Sequence, residues 1–189
     1  WYEIRNLNWD IYLFDLFSNT EKRITNHTSA QQNPTIYGDK IVYNDQRNGG
    51  FDIYLYDLIT NTERQITTHL KDDLNPRIYE DKIVWWSLRN RNAGDYNNDI
   101  YLYDLSSNTE RQITTDLNSQ QYTTIHSDKI VWTDWRNGYN TNPDIYLLDL
   151  STNTEKQITN DPNSQYDSDI HGDKIVWADN RNGNYDIYL

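Results

Sequence analysis

A sixteen-residue phrase recurs four times along this chain. It reads DIYLFDLFSNTEKRIT from residue 10, DIYLYDLITNTERQIT from residue 52, DIYLYDLSSNTERQIT from residue 99 and DIYLLDLSTNTEKQIT from residue 144. A fifth copy opens at Asp186 and runs as DIYL to Leu189. A second block completes the unit: PTIYGDKIVYNDQRNGG from Pro34, PRIYEDKIVWWSLRNRNAG from Pro76, TTIHSDKIVWTDWRNG from Thr123 and SDIHGDKIVWADNRNG from Ser168. Repetition at 42–47 residues restricts the chain to a solenoid, a propeller or a linear array, because each unit must bury its apolar surface against a copy of itself.

Each unit resolves into four short strands. Strand A is TIY at 35–37, and the two-residue link Gly38-Asp39 leads to strand B, KIVY at 40–43, through a turn short enough for a hairpin. The chain turns again around RNGG into strand C, DIYLYDL, and passes through a TNT turn into strand D, RQIT. Ile53 and Leu55 alternate with Tyr54 and Tyr56, so both faces of the sheet are apolar and each needs a neighbour. No 3.6-residue periodicity competes with this pattern. The fold expected is all-β: a β-propeller of four-stranded antiparallel blades stacked face to face. The blades fall at 33–68, 75–115 and 122–159, with partial blades at 1–26 and 166–189. WYEIRNLNWDIYL at 1–13 matches WADNRNGNYDIYL at 177–189. The two ends should therefore occupy equivalent places in different blades, as in an excerpt from a propeller of roughly six to eight blades that can self-associate through its incomplete ends.

Composition excludes several classes. Lys and Arg total 17 against 29 Asp and Glu, a net charge of -12 that repels nucleic-acid phosphates and anionic lipid surfaces, so no nucleic-acid partner is expected. No apolar run approaches the ~18 residues that would suggest a membrane span. The chain has no Cys and hence no disulfide, thiolate metal site or Cys nucleophile. Sixteen Tyr and 7 Trp set it apart from disordered chains.

Polar residues that recur in every unit belong to blade construction. The Asp and Arg of D-x-R-N-G (Asp45/Arg47, Asp134/Arg136, Asp179/Arg181) share a strand face and suit an ion pair or turn-fixing hydrogen bonds, as do Asp39, Asp81, Asp128 and Asp173 in the A–B turn. The third unit departs with Ser87, and Leu7 replaces a turn glycine in the first. His27 and His69 follow strand D where Asp116 and Asp161 stand later. His126 and His171 end strand A where other units carry Tyr37 and Tyr79; with Asp169 they offer donor types that hold metals, but Tyr at the same place argues for a half-polar ring and no metal is expected. The loop RNRNAGDYNND at 89–99 is rich in oxygen ligands for Ca²⁺ without the spacing of a Ca²⁺ loop, so Ca²⁺ is only a secondary expectation. No nucleophile elbow, Walker loop, zinc-protease or dinucleotide motif is present.

The pattern P-x-I-x-x-D-K-I-V-[YW]-x-D-x-R-N-G followed by D-I-Y-L-x-D-L resembles the TolB-like, or WD40-like, β-propeller repeat over essentially the whole chain. Relatives with this wording are typical of archaeal cell-surface proteins. The resemblance implies a non-catalytic interaction or scaffold domain of a secreted or cell-surface protein, with a periplasmic location as the alternative. It also admits an oligogalacturonate-lyase-like enzyme, for which Arg77, His126, Asp169 and His171 would be the non-repeated candidates, and a structural subunit of a surface layer or filament. Length variation is confined to the B–C connection, while the D–A links vary in sequence; both leave the blade on one side, opposite the uniform A–B and C–D turns. Recognition of a protein or glycan is expected on that variable side, through Arg91, Asp95, Tyr96, Trp135, Tyr139 and Asn140.

Overall fold

The structure, a computed structural model, describes residues 1–5, 7–137 and 142–189, and no helix forms among them. Five antiparallel sheets follow one another. The first holds β1 (Tyr2–Arg5), β2 (Asn8–Asp15) and β3 (Thr20–Arg23). The second holds β4 (Gln31–Tyr37), β5 (Lys40–Asp45), β6 (Asp52–Asp57) and β7 (Thr62–Gln65). The third holds β8 (Asp73–Tyr79), β9 (Lys82–Ser87), β10 (Asp99–Asp104) and β11 (Thr109–Gln112). The fourth holds β12 (Gln120–His126), β13 (Lys129–Asp134), β14 (Asp144–Asp149) and β15 (Thr154–Gln157). The last holds β16 (Gln165–His171), β17 (Lys174–Asp179) and β18 (Asp186–Tyr188). Each four-stranded sheet is a meander in chain order. The first strands of neighbouring sheets adjoin, β4 beside β8, β8 beside β12 and β12 beside β16, so these edges line the axis. The fold is a β-propeller arc.

The period of two explains the stacking. In β9, Ile83 and Trp85 face the preceding sheet and pack, with Tyr101, on Val42, Ile53 and Leu55. Val84, Ile100 and Leu102 face the following sheet and pack on Ile130, Trp132 and Tyr146. An aliphatic face thus meets an aromatic one at each interface, and the same pattern joins the first sheet to the second and the fourth to the last. Trp85 and Trp132 lose all solvent contact, which stabilises each by roughly 2–3 kcal/mol. The following face of the last sheet stays uncovered: Val176 and Ile187 are 37% and 77% exposed where Val131 and Ile145 are at 0%.

Turns obey local rules. In the C–D turns the carboxylates of Asp15, Asp57, Asp104 and Asp149 accept N–H groups two and three residues on. Asn19, Asn61, Asn108 and Asn153 take the left-handed conformation there, which Asn tolerates well. Strand A is longer than TIY: β4 starts at Gln31, so Gln32 and Asn33 belong to the strand instead of the D–A link. Two features hid it. The register shifts between Gln32 and Thr35, and Asn33 has φ 52°, a bulge that accommodates Pro34 without costing a ladder hydrogen bond.

The D-x-R-N-G pair is a fixed cap over the ring stack of each blade. Asp134 accepts from Trp132 Nε1 at 2.8 Å and pairs with Arg136 at 2.7 Å, and the Arg136 guanidinium lies 3.7 Å from the Tyr146 ring centroid. Arg136 also reaches Glu155 on the outer strand. In the third sheet Ser87 leaves this cap without its carboxylate, and Asp73, directly opposite on β8 where the other sheets carry Gln31, Gln120 and Gln165, supplies it. Asp73 accepts from Trp85 Nε1 at 3.0 Å and pairs with Arg89 at 3.1 Å.

Candidate functional site

The axial edge is where the blades stop being alike. Every inner strand bulges at the same place, with Asn33, Asn75, Tyr122 and Asp167 in the left-handed region. The residues there read Asn-Pro-Thr, Asn-Pro-Arg, Tyr-Thr-Thr and Asp-Ser-Asp from first to last. At the last three bulges these residues line a cavity of about 310 Å³, with Asn75 and Arg77 from β8, Tyr122, Thr123 and Thr124 from β12, and Asp167, Ser168 and Asp169 from β16. Arg77 also borders a second, wider cavity shared with Trp1, Tyr2 and the Asn33 bulge.

Electrostatics single out Arg77. Burial pushes the pKa of its guanidinium down, and the carboxylates of Asp169 and Asp167 offset part of that shift. Its Nη1 donates to its own neighbour, Pro76 O, at 3.1 Å. Asp169 accepts from Thr124 Oγ1 at 3.2 Å. Ser168 Oγ is buried without a hydrogen-bond partner.

The four non-repeated candidates divide into two groups. Arg77 and Asp169 share the cavity, whereas His126 and His171 lie toward the A–B turn in a ladder of rings: Tyr37 to Tyr79 at 4.7 Å, Tyr79 to His126 at 4.5 Å and His126 to His171 at 4.6 Å between centroids. His126 Nδ1 accepts from Gly172 N at 3.3 Å. The imidazoles thus act as half-polar rings in a stack, and among the described residues no group of three or more His, Asp or Glu has the arrangement to hold a metal ion. His27 and His69 serve their turns: their Nδ1 atoms accept from Ser29 N and Lys71 N, as Asp116 and Asp161 accept from Asn118 N and Asn163 N.

The variable side is stitched together by backbone. Three B–C connections bond to the start of the next inner strand, Phe51 O accepting from Asp73 N, Asn98 O from Gln120 N and Pro143 O from Gln165 N, all at 2.7–2.9 Å. In the longest such loop Arg91, Asp95 and Tyr96 converge: Arg91 Nε donates to Asp95 O at 2.8 Å and its guanidinium lies 5.1 Å from the Tyr96 ring centroid. Burial pushes the Asp95 carboxyl up, but N–H groups of Asn92 and Asn97 outweigh this and hold it below the usual range, so backbone donors already occupy this Ca²⁺ ligand candidate. Trp135 stands apart from that trio, half-buried, with its ring 6.2 Å from Tyr122 at the cavity rim. Tyr139 and Asn140 lie outside the described residues. Reasoning from sequence missed Tyr122, Thr124, Asp167 and Ser168. Their signal was available in the short stretch before the I-[YH]-x-D-K-I-V block, where the copies read NPT, NPR, TT after Tyr122 and SD after Asp167.

No family model and no curated protein sequence matches the chain. Solved structures do. TolB from Acinetobacter baumannii aligns at TM-score 0.64 and 18% identity over 98% of this chain and 49% of its own, so the chain spans about half the length of that protein. An oligogalacturonate lyase in complex with manganese aligns at TM-score 0.70 and 14% identity over 96% of this chain and 56% of its own. Porphyromonas gingivalis dipeptidyl peptidase 4 aligns at TM-score 0.65 and 14% identity over 96% of this chain and 34% of its own. At these identities the likeness is one of fold.

Proposed function

From its TolB-like β-propeller fold, we propose that the chain works as a non-catalytic recognition domain of a secreted or cell-surface protein, holding a protein or glycan partner on the side of the B–C loops and D–A links. One observation carries the reading. Side chains that recur in every blade are consumed by ring stacks, ion pairs and turns, whereas loop length varies on one side of the blades only. Leu70 and Leu117, at equivalent tips of two D–A links, are 97% and 82% exposed on that side, which also carries the Arg91–Tyr96 pair, so it offers apolar and polar groups of the kind partners use. No helix among the described residues is long and apolar enough to cross a membrane.

The enzyme reading draws on the fold shared with a lyase and on Arg77 and Asp169 in one cavity. It is the weaker one, because His126 and His171 are engaged in the ring ladder away from that cavity. The test is twofold. The chain is screened against arrays of neutral and acidic oligosaccharides and displayed peptides, and incubated with polygalacturonate with and without Mn²⁺. Selective binding without turnover is expected. Turnover abolished by His171→Ala would replace this reading with the enzymatic one.

A further inference from the structure

The axial cavity carries both signs of charge in its lining, and they attract across it without touching: among the described residues Arg77 forms no ion pair within 4.0 Å with Asp167 or Asp169, although all three line the same space. A cavity of about 310 Å³ is at the small end of ligand sites. A simple anion would meet two carboxylates there, and a simple cation would meet the guanidinium. A ligand carrying both charges close together satisfies both walls, its carboxylate taken by the planar fork of Arg77 and its ammonium by Asp167 and Asp169.

We propose that the cavity at the axial bulges of β8, β12 and β16 binds a small zwitterion carrying one ammonium and one carboxylate group, the chemistry of a free α-amino acid or of a dipeptide. The amide of Asn75 adds a neutral hydrogen-bonding position beside the charged ones, while the Thr123 and Thr124 hydroxyl groups donate to Val131 O and Asp169 and fix the wall between them. Ser168 Oγ supports the assignment independently: a buried hydroxyl without a partner is costly, and this one belongs to a residue of the cavity wall. The bland reading, that these groups only shape the inner strands, does not account for the way the charges arise. The four bulges have the same backbone, yet only the second supplies a cation and only the last supplies two anions.

The intact chain would be titrated calorimetrically with glycine, alanine, dialanine, acetate and methylammonium. Glycine or alanine should bind while acetate and methylammonium do not. Dialanine binding in place of the free amino acids would identify peptide as the source. Arg77→Gln and Asp169→Asn should each weaken the bound zwitterion by roughly tenfold or more, with Lys156→Gln on an outer strand as the unaffected control. Each variant's thermal melt is recorded to confirm folding. Should Arg77→Gln fail to fold, amide chemical shifts of Thr124 and Ser168 in the unaltered protein decide the matter. Movement on adding glycine, alanine or dialanine supports the site. No heat and no shift with any zwitterion, or equal affinity in Arg77→Gln, overturns it.

Discussion

Asp73 and Ser87 face each other across β8 and β9 at the place where the other sheets pair Gln with Asp, so the carboxylate that holds the arginine and the Trp indole has moved from one strand to its partner. Both arrangements serve one arginine that is largely withdrawn from water, which yields a sharp test. Asp73→Gln alone leaves Arg89 without its inner carboxylate and should cost about 2–4 kcal/mol in chemical denaturation. Adding Ser87→Asp rebuilds the form found in the other sheets and should recover most of that loss. If the double variant is no more stable than the single, the exchange is not compensatory. The equivalent pair in the last sheet sets an acid response. A hydrogen bond from Arg181, helped by the Arg181 N–H and Trp177 Nε1 and opposed by burial, holds the Asp179 carboxyl at about 2, below its ordinary 3.8. Because this pKa is depressed in the folded state, its contribution is complete above about pH 4 and is lost as pH falls through 3.8 toward about 2. Stability measured between those values should fall less steeply in Asp179→Asn; an unchanged slope would remove the pair as a cause.

At the scale of elements, the strands were legible wherever the alternation of Ile, Val, Leu with Tyr and Trp makes both faces apolar, and the turns wherever Asp and Asn have local hydrogen-bonding roles. The inner strand was read too short because its first half carries Gln, Asn and Pro, and a bulge breaks the period that would have revealed it. The same bulge explains why the axial cavity was only partly legible. Arg77 and Asp169 stood out as non-repeated charges, but their separation from His126 and His171 depends on where the bulge aims each side chain, and spacing cannot give that. Loop length pointed to Arg91, Asp95 and Tyr96, and these three meet in one loop. Packing at the interfaces predicts unequal costs for similar residues. Trp132→Ala removes a fully buried indole and should cost about 3–5 kcal/mol, whereas Trp1→Ala, at a ring 46% exposed, should cost about 1 kcal/mol or less. Equal costs would contradict the stacking described for these faces.

Across the whole molecule, one repeated interface joins aliphatic face to aromatic face, and the last sheet presents its aliphatic face to solvent at Val176, Ile187 and Leu189. Such a face favours head-to-tail contact with the ring-bearing face of a second copy, where Trp1 is accessible. Sedimentation should therefore show association that rises with concentration and is reduced by Ile187→Asp; a monomer at every concentration would count against it. The opposite division, between the two sides of the arc, bears on function. Turns of constant length occupy one side, and loops of differing length or sequence occupy the other. The direct comparison starts from the tightest binder selected on the oligosaccharide and peptide arrays, and measures its affinity for three proteins: the unaltered chain, a variant with residues 89–98 replaced by a short RNGG-type turn, and a variant carrying Phe17→Arg and Ile59→Arg in the C–D turns. The loop replacement should abolish binding with little change in thermal stability, and the C–D variant should bind as the unaltered chain does. Binding that survives the loop replacement and is lost in the C–D variant would contradict the assignment of recognition to the variable side.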